Sequence, residues 1–267
     1  MGTMYLNCLA QTTRERRAYY KSLNLERDKR YFRIAMPYIH KATKKEIDAI
    51  VKALQDSATY TQAKKKVQEA ILGNNDAWRE AFSGLYQDIG ILNGKRVTRE
   101  LQAIKGVGAD FEDVFLKKLP KHISKITAPK LKKLNIRSYA IVSNDIQRAI
   151  DDGSSIDELA AYIKEYIPQT YKNRERAIAR TETCEAQGYS GQEAAKYTGL
   201  DLMKSWLAWI DDKTRSGHAE YNGETVEMDE PYVIDGDELM FPGDSSLGAG
   251  PENLVNCRCT ETYEVKG

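Results

Sequence analysis

The chain is poor in the residues that characterise secreted or membrane-embedded proteins. It has four cysteines in 267 residues, too few for a disulfide framework at this size, which indicates a reducing compartment. It has no apolar run near the roughly 18–20 residues that a membrane span needs. Its first residues carry too short an apolar stretch for a secretory signal. The sequence therefore predicts a protein that has no membrane partner.

The net charge of the chain is close to zero, but acidic and basic side chains are distributed unevenly along it. The whole chain has a net charge of +1, whereas residues 201–267 hold 15 acidic and 5 basic side chains, a net of −10. Residues 117–137 contain no acidic side chain and eight basic ones: Lys117, Lys118, Lys121, Lys125, Lys130, Lys132, Lys133 and Arg137. This basic segment is either a phosphate-binding surface, with double-stranded DNA as a non-specific partner, or a solvated helix face.

Hydrophobic spacing predicts helices over most of the first 200 residues. Between Thr43 and Ile71 the i, i+3, i+4, i+7 pattern is carried by Ile47, Ile50, Val51, Leu54 and Ala58. Asn93-Gly94 is typical of a turn between helices or a hairpin tip, and Pro168 is expected to end a helix. After Gly199 the pattern alternates, which predicts strands at 204–210, 225–228, 238–241 and 260–265.

These patterns together predict the α+β class. We expect an extended, mostly α-helical body over residues 1–134, with the basic segment at its end. A smaller α+β unit with a short antiparallel sheet is expected over residues 135–267. The change from helical to alternating periodicity is the observation on which this division depends.

The scarce soft metal ligands are concentrated near the C-terminus. His218 follows a turn-rich segment, and Cys257 and Cys259 form a Cys-x-Cys pair. Thiolate and imidazole ligands in loops suit a structural Zn²⁺, which prefers four ligands in a tetrahedron. The alternative is an ordinary polar turn with two buried thiols. For the fourth ligand we add Asp212 to the site. The alternatives are Asp211, Cys184 and a water molecule.

Several short blocks of the C-terminal half occur in a recognisable order and spacing. They are Ile178-Ala179-Arg180-Thr181-Glu182, Trp206, Asp211-Asp212-Lys213-Thr214-Arg215, His218, Asn222-Gly223, Phe241-Pro242-Gly243-Asp244 and Asn256-Cys257-Arg258-Cys259. In this arrangement residues 135–265 resemble the phage Mu F-like, or head morphogenesis, family of minor head proteins.

The resemblance implies a structural component of a tailed-phage virion. Such a protein accompanies the portal protein into the procapsid, after synthesis in the host cytoplasm. It then lies in the capsid interior near the portal vertex and assists head assembly, DNA packaging or ejection. The portal protein is the expected partner, together with the major capsid or scaffold protein, and residues 1–134 are expected to face the portal. The family motif brings no catalytic residues, so we expect no enzyme.

Two enzymatic functions are the alternatives. A metal-dependent hydrolase or nuclease would use a water activated at the site of His218 and the cysteines, but the chain has no His-Glu-x-x-His motif. An ADP-ribosyltransferase-like activity is suggested because related head proteins can be fused to toxin modules. Since the chain ends directly after the family motif, we expect no added effector.

Overall fold

Helices make up most of the molecule. The computed structural model describes residues 13–105 and 111–266. Its larger helices are α1 (Thr13–Gln55), α2 (Tyr60–Gly73), α3 (Asn75–Lys105), α4 (Phe111–Asp151) and α5 (Ile156–Tyr197). Within this described part, no helix combines the length and the apolar character needed to cross a membrane.

Short strands and helices follow α5. They are β1 (Leu202–Leu207), α6 (Ser216–Glu220), β2 (Thr225–Glu227), β3 (Tyr232–Ile234), β4 (Asp237–Leu239), α7 (Pro251–Leu254) and β5 (Thr260–Val265). β1 is the central strand of an antiparallel sheet in the order β2-β1-β5, with Lys204 paired to both Val226 and Tyr263. A helical body followed by small antiparallel sheets confirms the predicted α+β class.

The hairpin of β3 and β4 was only half predicted. Its turn is Asp235-Gly236, and both residues have positive φ, at 52° and 87°. An Asp-Gly pair with this backbone is a preferred two-residue connection between antiparallel strands. β3 was missed because only three residues, Tyr232, Val233 and Ile234, precede the turn.

The chain folds into two compact units, each assembled from separate segments. The helical unit comprises residues 36–84 and 123–177. The mixed unit comprises residues 1–35, 85–122 and 178–267, as far as these are described, and contains both sheets. The division predicted at residue 134 falls within α4 and stays a sequence-based prediction.

Aliphatic side chains from four helices form the core of the helical unit. The predicted positions Ile47, Ile50, Val51 and Leu54 are all buried in it, with Val67, Ile71, Val142, Ile146, Ile163 and Ile167. The predicted stripe belongs to two helices rather than one. α1 ends at Gln55 and Thr59 caps α2 by accepting a hydrogen bond from the Gln62 amide at 3.2 Å, so Ala58 lies in the connection.

Asn93-Gly94 does not form a turn but lies inside α3. Asn93 is buried, and its side-chain amide donates to the Gln187 carbonyl at 2.8 Å and to Ser190 Oγ at 3.0 Å. A Cβ on Gly94 would overlap the Phe111 ring. The pair therefore serves close packing within the mixed unit, which a turn propensity does not reveal.

Pro168 does not end a helix either, because α5 continues through it to Tyr197. Ile167, before the proline, and Tyr171, after it, are both buried in the aliphatic core, so the buried face of α5 extends across Pro168. Tertiary packing thus outweighs the helix-breaking tendency of proline at this position.

Candidate metal centre

His218 enters the core of the mixed unit from the short helix α6. The preceding turn is fixed by Asp211, whose carboxylate accepts from the Lys213 amide at 2.9 Å, and by Thr214, whose hydroxyl accepts from the Asp211 amide at 2.9 Å. The His218 side chain is only 1% exposed and meets the buried Trp206 ring edge to face.

The two cysteines reach the same place from the segment between α7 and β5. Asn256 has a φ of 58°, which turns the chain so that Cys257 and Cys259 both point inward and are buried. Arg258, between them, forms a two-pronged ion pair with Asp211 at 2.5 and 2.7 Å. Hydrogen bonding to Arg258 lowers the pKa of Asp211. This pair holds together the two loops that carry the candidate ligands.

Three ligand atoms lie close enough together to share one zinc ion. The imidazole Nδ1 of His218 lies 3.4 Å from Cys259 Sγ and 3.7 Å from Cys257 Sγ, and one ligand atom of each of the three residues lies within 4.8 Å of the others. Zinc bonds of about 2.3 Å to sulfur and about 2.0–2.1 Å to nitrogen place tetrahedral S and N ligands about 3.6 Å apart. The two nitrogen–sulfur separations are therefore close to those of a tetrahedral Zn²⁺ site.

A hydrogen-bonded chain fixes the histidine with Nδ1 directed at the sulfurs. The other ring nitrogen, Nε2, lies 3.1 Å from Asn253 Oδ1. The Asn253 amide nitrogen donates to the Ile234 carbonyl at 3.2 Å and to Asp237 Oδ2 at 2.9 Å, so its oxygen must face the imidazole. Nε2 then carries the proton and Nδ1 presents a lone pair, which is how outer partners orient metal-binding histidines.

The pKa values of the Cys257 and Cys259 thiols are shifted in opposite directions. Hydrogen bonds from the Cys184 and Cys259 thiols lower the pKa of Cys257, whereas the bond to Cys257 and burial raise the pKa of Cys259. The backbone N–H of Trp209 and the indole N–H of Trp206 act in the opposite direction on Cys259 and lower its pKa. The indole N–H is buried without a hydrogen-bond partner of ordinary geometry, so its dipole is available to a thiolate.

Asp212, predicted as the fourth ligand, is not brought into the cluster. Its side chain is exposed, whereas the three converging residues are buried. The turn that fixes Asp211 through Lys213 and Thr214 leaves the next residue on the outer side of the loop. Asp211 is also unsuitable, since both of its oxygens are bound to Arg258.

The partners that surround the ligands were not found by sequence reasoning. Asn253, Asp237 and Arg258 are polar residues in a strongly acidic, turn-rich region, where a single sequence gives them no distinctive spacing. Only the scarcity of histidine and cysteine distinguished the ligands. The outer residues become recognisable once α7 and the β3–β4 hairpin have brought them together.

The basic segment lies on α4, and its side chains are not equivalent. Lys117, Lys118 and Lys121 are exposed in the mixed unit, where Lys118 is bound to Glu193 at 2.5 Å. In the helical unit, Lys125, Lys132, Lys133 and Arg137 are exposed. Lys130 is half-buried, with its ammonium 5.7 Å from the centre of the Phe82 ring. Lys118 and Lys130 are thus engaged with protein groups, and DNA binding by the segment stays a prediction.

Comparison with known proteins identifies the region that holds the cluster. Residues 140–262 match the model of the family described as phage Mu protein F like protein, and all the candidate ligands lie within this range. The minor head protein GP7 of Bacillus phage SPP1 is 27% identical over 170 residues, which cover 61% of this chain and 53% of GP7. No solved structure matches the chain.

The name of a second relative describes an enzyme rather than a head protein. The NAD(+)--arginine ADP-ribosyltransferase EFV of Enterococcus faecalis (strain ATCC 700802 / V583) is 39% identical over 129 residues, which cover 47% of this chain and 26% of that protein. The chain thus spans between about a quarter and about half the length of these two relatives.

Proposed function

We propose that this chain is a structural minor head protein of a tailed phage, since residues 140–262 match the model of the phage Mu protein F like family. The observation that carries the proposal is the 170-residue match to the SPP1 minor head protein. The protein would be synthesised in the host cytoplasm and become part of the virion, in the capsid interior near the portal vertex. Its proposed partners are the portal protein and the major capsid or scaffold protein.

The buried cluster has a structural role in this proposal. His218, Cys257 and Cys259 would hold one Zn²⁺ that fastens the turn before α6 to the segment before β5. The support is the burial of all three residues and the convergence of their lone pairs. A thiolate-rich zinc site is more often structural than catalytic, and a hydrolytic zinc needs an open position for water.

The match to EFV makes ADP-ribosyl transfer the alternative function. The 129 matched residues are 26% of that protein, so the activity in its name need not lie in the part that it shares with this chain. The structural role predicts that the pure protein neither consumes NAD nor hydrolyses nucleic acid.

Co-purification with the portal protein tests the proposed role. The full-length chain should be used, since each compact unit draws on residues both before and after position 134. Co-expressed with the portal protein of its own phage, the chain should elute with the portal oligomer, and with the portal of an unrelated phage it should not. Failure to associate with the cognate portal, together with NAD consumption or nuclease activity, would overturn the proposal.

We extend the proposal to weak, sequence-independent binding of double-stranded DNA by the exposed lysines of α4. Replacing Lys125, Lys132 and Lys133 by glutamine should reduce the slope of log affinity against log salt by up to about 2.7, at about 0.9 per phosphate contact. The matched control removes three other lysines that are exposed in the helical unit: Lys41, Lys44 and Lys45. Equal slopes for the two triple variants would contradict binding through α4.

A further inference from the structure

Cys184 is a buried thiol on α5 that belongs to the same apolar cluster as Cys257 and Cys259. Its Sγ lies 3.6 Å from the carbonyl oxygen of Cys259 and 3.5 Å from that of Pro242. It is also close enough to the Cys257 thiol to lower the pKa of that group. The third free cysteine of the described chain is therefore in contact with both cysteines of the cluster.

The turn at Pro242-Gly243 encloses this thiol from the other side. Gly243 has a φ of 86°, and a Cβ there would lie 3.1 Å from Cys184 Sγ and 3.0 Å from the Glu185 amide. The backbone therefore approaches α5 as closely as a glycine permits. The turn thus packs on one side of the thiol and the Cys259 segment on another.

The cluster itself needs a fourth ligand from the protein. Its three members are between 1% and 7% exposed, so the position opposite them does not face bulk water. Structural zinc sites are closed by four protein ligands. The two aspartates near the site are unsuitable, because Asp212 is exposed and Asp211 is bound to Arg258.

We propose that Cys184 Sγ is the fourth ligand, so that three thiolates and the His218 imidazole hold a Zn²⁺ ion in a closed site. The inference rests on the proposed zinc site and names the residue that completes it. Cys184 is not among the three residues whose ligand atoms lie within 4.8 Å of one another, so its side chain rotates toward them when the metal binds. Each cysteine that was still protonated then loses its thiol proton to solvent.

This assignment changes what the metal does. With Cys257, Cys259 and His218 alone, the ion connects two loops near the C-terminus. With Cys184 it also ties both loops to α5, the helix that leads into β1. A site filled by four protein ligands has no position for an activated water, which removes the chemical basis of a metal-dependent hydrolase at this place.

X-ray absorption at the zinc edge tests the assignment on the full-length protein. Zinc-loaded wild type should give three sulfur neighbours at about 2.3 Å and one nitrogen neighbour at about 2.0–2.1 Å. This measurement requires no variant. Two sulfur neighbours with two lighter ones would overturn the role of Cys184 while leaving the zinc site intact. Absence of bound zinc would overturn both, whereas the head-protein role is tested separately by the portal.

Two variants compare the rival fourth ligands directly. Cys184→Ser should weaken zinc binding by more than about 10- to 100-fold, which is the typical effect of removing a residue that only hydrogen-bonds to a metal ligand. The absorption spectrum of this variant should show one sulfur neighbour fewer. Asp212→Asn should leave both the affinity and the sulfur count unchanged. The reverse result, with Asp212→Asn weakening binding and Cys184→Ser neutral, would contradict the proposal. Cobalt substitution gives an independent reading, since the thiolate charge-transfer band should decrease in Cys184→Ser only.

Discussion

The helical unit and the mixed unit each contain a buried cluster of polar side chains, and the two clusters differ in what satisfies them. In the helical unit the fully buried Glu46 accepts from Trp78 Nε1 at 2.8 Å and Ser138 Oγ at 2.7 Å, and lies 3.3 Å from the Arg174 guanidinium. Donors from the protein satisfy this carboxylate. In the mixed unit, an imidazole and two thiols direct lone pairs at one small volume. The first arrangement is complete by itself, whereas we propose that the second is completed by a cation.

The difference shows what limits the stability of each unit. The helical unit has a continuous aliphatic core, as a bundle of amphipathic helices does. The cluster around the candidate ligands contains fewer aliphatic side chains and more aromatic and sulfur-containing ones, on short strands and turns. Short elements bury little apolar surface each, so the proposed metal clasp would contribute proportionally more there.

Loss of the metal should have the largest effect, and should be confined to the mixed unit. His218→Ala removes the only nitrogen ligand, and because structural zinc in small peptides contributes about 10–16 kcal/mol, we expect at least about 5 kcal/mol of destabilisation. Calorimetry should show the transition of the mixed unit shifted strongly downward. His40→Ala, at a largely exposed histidine of the helical unit, is the control and should leave zinc content unchanged.

Breaking the Glu46 network should come next, and should not depend on metal. Arg174→Leu leaves a buried carboxylate without its cation, which typically costs about 3–5 kcal/mol. Arg79→Leu, which breaks an ion pair with Asp76 in which both side chains are largely exposed, should cost at most about 1 kcal/mol. Denaturant melts with and without zinc chelator measure both. A chelator-dependent loss in Arg174→Leu would argue against the independence of the two arrangements.

A pH effect should distinguish the mixed unit further. Burial raises the pKa of Glu261 to about 7, well above the value of about 4.3 in an unfolded chain. The folded state therefore holds the proton between these values, so the stability that Glu261 contributes, up to about 3 kcal/mol, is fully present below about pH 4 and is lost as pH rises through 7. Glu261→Gln should remove this part of the slope, measured over the pH values at which the protein keeps its zinc. An unchanged slope would contradict the assignment.

The smallest effect concerns packing between α3 and α4 in the mixed unit. Gly94→Ala forces a methyl group into the Phe111 ring, and overpacking of this kind costs about 1–3 kcal/mol. Gly73→Ala, at the end of α2 where a Cβ meets nothing within 4 Å, should be neutral or stabilising by up to about 1 kcal/mol. Thermal melts of both variants measure this. Equal changes in the two would show that helix propensity, not packing, decides.

How much the sequence predicts depends on whether the signal is local. The stripe of Ile47, Ile50, Val51 and Leu54 and the strand at 260–265 were predicted from periodicity, since that pattern reflects the face that each element buries. Asn93-Gly94 and Pro168 misled the interpretation because packing partners far away in sequence override turn and helix-breaking tendencies. The composition of the chain did not indicate that Asn93-Gly94 and Pro168 lie inside helices.

The candidate site divides in the same way. His218, Cys257 and Cys259 could be singled out because such residues are scarce in this chain. Asp212 was added from proximity in sequence alone, and the turn at Asp211 directs it outward. The Asn253 amide that fixes the imidazole comes from α7, 35 residues further along, and only the folded chain brings it there.

Hydrogen exchange measured with and without zinc tests most directly the claim that a metal clasp organises the mixed unit. On the full-length protein, chelation should remove amide protection from residues 202–265 and leave it unchanged in residues 36–84 and 123–177. Restoring one equivalent of zinc should restore the protection. If protection of β1, β5 and the segment around Cys257 is the same in the metal-free and zinc-loaded protein, the cluster is an ordinary buried group of thiols and the claim is wrong.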